Sequence, residues 1–367
     1  MRILTLTTSY PRGPLDYRGG FVAALDEALA ERGHDIVTVT PGHGSLFHRD
    51  GVMETLNRHP WLATQLPPGL LRLAAGALRE GPRCDAILSH WLLPCGLLGA
   101  LLRRRRGPPH LLIEHGGGLR ALEHLPPPAA RRVLAWIAAG TDRIQAVAPW
   151  IAARLAALHP PLASRIDVDP MGVEIPEPGP PPPATPPLRV LFVGRLVPRK
   201  GVAILLEAMA STPEVSLTIV GDGPERRRLE ALARPLGSRV RFLGERPPCE
   251  VPALHTSHHV IAAPSLPYPR GGEGTPTAVL AAMAAGLVPV ASNTGGLADL
   301  LASGEHGLTF APGDAAGLAV ALRRLATSEE TLSDRSDAAR GSTRMHAWPQ
   351  LAARVEARLR WARSRVA

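Results

Sequence analysis

Leu191-Phe-Val-Gly-Arg-Leu-Val-Pro-Arg-Lys-Gly201 is an apolar run that ends in a turn marked by glycine and proline and carrying three cations. Read locally, 190–193 is a buried strand, the glycine loop follows it, and an amphipathic helix follows the loop. That is the opening unit of a parallel α/β sheet. Lys200 is the only lysine among the 41 basic residues, so the chain's preference for arginine does not explain it. A compact ammonium and a guanidinium on one loop suit a diphosphate: arginine grips phosphate in a fixed fork, and lysine acts as a mobile point charge.

The same pattern opens the chain, where strand 2–6 runs toward Gly19-Gly20 and a helix over 20–31. Between these two openings, 176–187 reads Pro-Glu-Pro-Gly-Pro-Pro-Pro-Pro-Ala-Thr-Pro-Pro. Such a run forms neither helix nor interior sheet and behaves as a stiff connector. In the first half, 36–39, 86–88, 111–113 and 143–147 read as buried strands with helices such as 97–104 between them. In the second, 217–220, 240–243, 260–262 and 288–291 repeat the pattern. The spacing predicts α/β architecture with two doubly wound parallel sheets, facing each other across a cleft lined by the loops that follow the strands. A last helix is expected over 348–366, with Leu351, Val355, Leu359 and Trp361 as its apolar positions. The segment 44–83 is harder to place; its amphipathic piece 70–78 is expected to pack on its own domain, with membrane contact as the alternative.

At 367 residues, with 45% hydrophobic and 20% charged residues, the chain suits two globular domains. Its net charge of +9 is scattered apart from Arg103 to Arg106, and three tyrosines and five phenylalanines offer little for base stacking, which argues against a nucleic-acid partner. Cys84, Cys95 and Cys249 form no CxxC pair and are expected as reduced thiols, with neither disulfide frame nor zinc site. His258-His259 reads as a strand-edge pair, and no Asp-x-Asp or histidine cluster suggests a metal. The first residues lack the long apolar stretch of a signal peptide, and the run near 92–102 is broken by Pro94 and too short to span a bilayer. A cytoplasmic location is expected.

The segment Glu273-Gly-Thr-Pro-Thr-Ala-Val-Leu-Ala-Ala-Met-Ala-Ala-Gly286 reads as a tight loop and then a helix that starts near Pro276 and stops at Gly286. A carboxylate before a helix start can reach a ligand whose phosphate the helix amides favour, although taken alone it is better explained as a complement to the helix dipole. Taken with Ser9-Tyr-Pro and Gly19-Gly20, Met171-Gly-Val173, Gly194-Arg195-Leu196 with Lys200-Gly201, Val220-Gly-Asp-Gly-Pro224 and Val240-Arg-Phe-Leu-Gly244, the segment resembles the family 4 glycosyltransferases, retaining enzymes of the GT-B fold, over almost the whole length.

The resemblance implies a Rossmann-like acceptor-side domain over 1–175, the linker 176–187, a Rossmann-like nucleotide-sugar domain over 188–345, and a closing helix over 346–367 packed back on the first domain. It implies that Arg195 and Lys200 hold the donor diphosphate and neutralise charge on the leaving nucleotide. Glu273 would bind hydroxyls of the transferred sugar, with Gly194, Gly274 and Thr275 in the donor-binding set. Gly295 and Gly296 would let backbone approach the donor, Gly19 and Gly20 would close over the phosphates, and His115 would line the reacting sugar. No metal or other cofactor is implied. The partners implied are a nucleotide-sugar donor and an acceptor glycan, glycolipid or small metabolite, with peripheral contact at the inner face of a membrane suggested by the Arg103 to Arg106 run and 70–78. One position departs from the family: where a second glutamate, binding the ribose, stands eight residues after the first, this chain has Ala281. A nucleotide-sugar epimerase and a non-catalytic nucleotide-binding homologue are the rival readings. A nicotinamide oxidoreductase is a weaker one, since Gly221-Asp-Gly223-Pro-Glu-Arg226 lacks the third glycine of the dinucleotide fingerprint and Gly116-Gly-Gly118-Leu-Arg-Ala121 lies deep in its domain.

Overall fold

The structure, a computed structural model, describes residues 1–13, 15–42, 46, 55–56, 59–177, 187–267 and 272–365. Most of the expected proline-rich connector lies outside these residues. The chain divides into two compact units, Met1–Gly172 with Trp348–Ala367, and Val173–Ala347. The first boundary falls at Gly172 rather than 175 because Val173 N–H donates to the His346 carbonyl at 2.8 Å, which ties it to the second unit.

The first unit holds a six-stranded parallel sheet of β1 (Arg2–Leu6), β2 (Asp35–Val39), β3 (Ala86–His90), β4 (His110–Glu114), β5 (Arg143–Ala146) and β6 (Ile166–Val168), in the order β2-β1-β3-β4-β5-β6. The inner strands β3 and β4 are buried at every position, as expected where helices cover both faces of a parallel sheet. The 70–78 piece lies in the helix Leu66–Glu80, whose Leu73 and Ala77 pack against Leu4, Leu6 and Val39. Its Leu71 points outward, 69% exposed.

The helix Trp348–Ser364 completes this unit. Leu351, Val355 and Leu359 join Ile3, Leu25 and Leu29 in one core. Arg32 pairs with Glu356 at 2.6 Å, and Arg354 and Arg358 with Asp169 at 2.9 and 2.8 Å. Trp361 does not take the core position expected of it. It stands two residues past Leu359, about 200° around the helix, and is exposed, with the Arg143 and Arg365 guanidiniums 4.8 and 4.7 Å from its ring centroid. Ala362 fills the apolar stripe instead.

The second unit repeats the plan with β7 (Leu188–Val193), β8 (Val215–Val220), β9 (Val240–Gly244), β10 (Val260–Ala263), β11 (Val288–Ser292) and β12 (Leu308–Phe310), in the order β12-β11-β10-β7-β8-β9. The two strands not anticipated, β6 and β12, are three residues each, stand at sheet edges and are incompletely buried. His258-His259 is not at an edge: the pair is buried at the entrance of β10, an inner strand. Arg189 N–H donates to His259 Nδ1 at 3.0 Å, and His258 Nε2 meets the Thr218 hydroxyl at 2.8 Å. Among the described residues no helix is long and apolar enough to cross a membrane.

Candidate active site

In an open α/β sheet the crevice for ligand opens where the strand order reverses, at the carboxyl ends of the strands. In the second unit the reversal lies between β7 and β10. The loop after β7 carries Gly194, Arg195, Arg199 and Lys200, and the segment after β10 carries Ser265 and Glu273. Backbone fastens the two together: Leu266 N–H donates to the Arg199 carbonyl at 2.7 Å. Gly201 lies in the left-handed region at φ 66°, and any Cβ there would run into the Pro264 carbonyl.

This clamp brings Lys200 Nζ to 2.8 Å from Glu273 Oε1. Arg199 Nη1 and the Ser265 hydroxyl donate to the same oxygen at 3.4 and 3.3 Å. Burial raises the Glu273 carboxyl, but the Lys200 ammonium and then the Arg199 guanidinium outweigh it and hold the group below the usual carboxylate range. The site therefore contains a fixed anion beside two cations. Arg195 is half-buried on the same loop, and Leu196 after it is held to the β8 loop by its N–H to the Asp222 carbonyl at 2.9 Å. Gly194 N–H donates to the Val220 carbonyl at 3.0 Å.

Gly295 and Gly296 open the helix Gly295–Leu300. The backbone they admit is the protein's own: Gly296 N–H donates to the Glu273 carbonyl at 3.1 Å, and a Cβ at Gly296 would strike the Gly274 carbonyl. Thr275 accepts from Thr277 N–H at 2.9 Å where the helix Thr277–Ala284 begins. That helix starts one residue after Pro276, and Gly286 follows it at φ 94°. Ala281 sits on it, half-buried beside Val173 and Leu280.

In the first unit the reversal lies between β1 and β3. Gly19 caps the helix Gly20–Glu31 at φ 71°, and a Cβ would meet Tyr10 N at 2.7 Å; around Gly20 there is open space. His115 follows β4. Its Nε2 meets His90 Nδ1 at 3.0 Å, the two rings stack, and the Phe21 and Trp91 rings lie 4.9 and 5.0 Å away. Burial, then the neighbouring His90, drives His115 well below the usual imidazole range, so it is neutral near pH 7. Beneath it Glu114, fully buried, accepts from Leu92 and Gly116 N–H at 2.7 Å and Leu119 N–H at 3.2 Å. Burial raises this carboxyl, and the three backbone donors pull it back. Glu114 thus fixes the loops that present Trp91 and His115. The glycines of 116–118 serve this packing: a Cβ at Gly118 would press on Glu114 Oε2 and Leu92 N.

Sequence reading singled out Lys200, Glu273 and His115, and the structure joins the first two. It did not single out Ser265, Phe21, His90, Trp91 or Glu114, and it gave Arg199 no role. Arg199 was visible as a third cation in its loop. Ser265 and Trp91 follow β10 and β3, His90 and Glu114 end β3 and β4, and Phe21 stands in the first turn of the helix Gly20–Glu31, so their gathering is visible only once the strand order is known.

Two parallel six-stranded sheets, each with its reversal-point loops gathered at one edge, define the GT-B class of fold. The sucrose-phosphate synthase of Thermosynechococcus elongatus superposes with a TM-score of 0.79 at 23% identity over 99% of both chains. Anabaena HepE, solved in complex with UDP, superposes at 0.76 and 20% identity over 98% of this chain and 100% of that one. The profile described as Glycosyltransferase Family 4 matches residues 20–176, and that described as Glycosyl transferases group 1 matches 178–342. A GDP-mannose-dependent alpha-(1-6)-phosphatidylinositol monomannoside mannosyltransferase of Mycobacterium tuberculosis is 32% identical over 84% of each chain. A phosphatidyl-myo-inositol mannosyltransferase of Mycolicibacterium smegmatis is 36% identical over 45% of this chain and 43% of its own, so the match spans under half of that relative. The chain belongs to the family 4, group 1 glycosyltransferases.

Proposed function

We propose that this protein moves a sugar from a nucleotide diphosphate sugar to an acceptor hydroxyl with retention of anomeric configuration. The observation that carries the reading is the Lys200–Glu273 contact at the β7/β10 reversal. An ammonium held 2.8 Å from a carboxylate is positioned rather than swinging in solvent. It then stabilises charge that grows on the leaving diphosphate without reorganising at that moment. Arg195 shares the diphosphate, Glu273 accepts from hydroxyls of the transferred sugar, and Gly194, Gly274 and Thr275 border the donor. His115, neutral and oriented by His90, can exchange a hydrogen bond with a sugar hydroxyl without adding charge. The acceptor proton passes to the leaving phosphate on the same face, and the reading assigns no step to a metal.

The acceptor class proposed is a glycan, a glycolipid or a small metabolite. Relatives named for phosphatidylinositol acceptors favour a lipid-linked one. The exposed Leu70, Leu71 and Leu78 of the helix Leu66–Glu80 suit peripheral membrane contact. A thermal-shift screen of UDP-, GDP-, ADP- and TDP-sugars, followed by product analysis with the stabilising donor, tests the reading. A raised Tm with one donor and glycoside formed only when acceptor is present is the expected result. Isomerisation of the free donor would mark an epimerase, and binding without turnover against an acceptor panel a non-catalytic homologue.

A further inference from the structure

At the sheet edge opposite His115, where β5 and β6 begin, the first unit contains a cavity of about 640 Å³. The helices Leu97–Arg104, Pro127–Ala139 and Trp348–Ser364 all end beside it. Arg103, Arg104, Arg143, Arg165 and Arg365 line it together with Trp361. Among the described residues Asp142 is the one lining carboxylate. Five guanidiniums less one carboxylate leave a formal charge of +4 on the wall.

Arginines commonly gather at helix C-termini to offset the carbonyl ends, and that simpler account fails on magnitude. Each end carries roughly −0.5 of a charge, so three supply roughly −1.5. Part of that is already met, since Arg165 Nη1 donates to the Ala138 and Thr141 carbonyls at 2.9 Å each. Asp142 is committed to Arg103, accepting from its Nε at 2.9 Å and its Nη2 at 3.1 Å. Arg143 is shared with Asp167 at 3.2 Å and stacks on Trp361, on which Arg365 also stacks. Arg104 lies over Trp136. Among the described residues no carboxylate pairs with Arg104, Arg165 or Arg365. Arg104, Arg165 and Arg365 are thus held by aromatic rings and carbonyls, with no described carboxylate offsetting their charge.

We propose that this cavity binds a phosphate polyanion of the pyrophosphate kind, free in solution or carried on a lipid headgroup. Guanidiniums arriving from four separate stretches of chain can grip phosphate oxygens as several forks at once, which a single carboxylate ligand could not use. The concave wall focuses the positive field onto such a ligand. The site is not the donor site. It belongs to the first unit, and the five residues of β4, at about 3.3 Å each, separate its edge of the sheet from His115.

Calorimetric titration with inorganic pyrophosphate, in a Lys200→Ala background that weakens the donor loop, tests the assignment. The background protein should bind, and more weakly as salt rises. Adding Arg104→Glu and Arg365→Glu, both exposed and outside any carboxylate pair among the described residues, should weaken binding by about tenfold or more. An Arg104→Gln/Arg365→Gln pair should fall between, which guards against a folding defect in the charge reversal. Phosphatidylcholine vesicles with and without phosphatidylinositol phosphate separate the two sources. Recruitment that needs the phosphorylated lipid and both arginines assigns a headgroup; arginine-dependent pyrophosphate binding without recruitment assigns a soluble ligand. Pyrophosphate binding and vesicle recruitment that are both absent, or both unchanged by the double variants, overturn the proposal.

Discussion

At the scale of single residues, the site turns on one carboxylate oxygen. Glu273 Oε1 receives Lys200, Arg199 and Ser265. If Lys200 acts as proposed, on the departing diphosphate, Lys200→Ala should lower kcat/KM on the order of 100-fold. Steady-state kinetics with the identified donor check this, and an unchanged value removes Lys200 from the mechanism. Ala281 is the complementary case. The helix that bears it is regular, and the position is half-buried with no carboxylate of its own. Ala281→Glu should lower the donor KM by restoring up to two charged hydrogen bonds, each typically about 1.5–3 kcal/mol. A KM that stays level or rises counts against a ribose contact at 281. Lys200 stands out in the sequence as its only lysine, whereas Glu273 is singled out only through the family resemblance. Their meeting was not legible, since 73 positions separate them and only the strand order 10-7 makes them neighbours.

At the scale of elements, glycine positions divide sharply by what a side chain would meet. Gly296→Ala would drive a methyl into the Gly274 carbonyl and push the helix Gly295–Leu300 off the Glu273 segment. A clear drop in Tm, with loss of donor-induced stabilisation, is expected from thermal shift. Gly20→Ala should leave Tm unchanged or slightly higher, since the space is open and alanine favours the helix. Equal effects from the two would contradict this packing. Long elements were readable because burial on both faces leaves continuous apolar runs, as in β3 and β4. Edge strands β6 and β12 were not, because three residues, not all of them buried, are too few to carry a period. Trp361 misled by its size: helical phase, not hydrophobicity, decides which side chain faces the core.

At the scale of the molecule, buried ionisable groups give the first unit a characteristic response to acid. Burial lowers His110 from 6.5 to about 4 and His90 to about 3. A depressed folded-state value means that their stabilising contribution is complete above 6.5 and is lost as pH falls toward those values. Asp26 works in the other sense. Desolvation raises it from 3.8 to about 6, so its contribution is present below 3.8 and is lost as pH rises through about 6. Between pH 6.5 and 4 the histidines therefore weaken the fold while Asp26 partly offsets them. His110→Gln should flatten the decline of Tm across that interval, and Asp26→Asn should steepen it. Parallel Tm–pH curves for all three proteins would rule this account out. The helix Trp348–Ser364 carries a further consequence for synthesis. It supplies part of the wall around Ile3, Leu25 and Leu29, yet it is translated only after the entire second unit. A nascent chain emerging from the ribosome thus exposes an uncovered greasy flank for more than 170 codons, which makes this half of the protein a natural client for chaperones until those residues arrive.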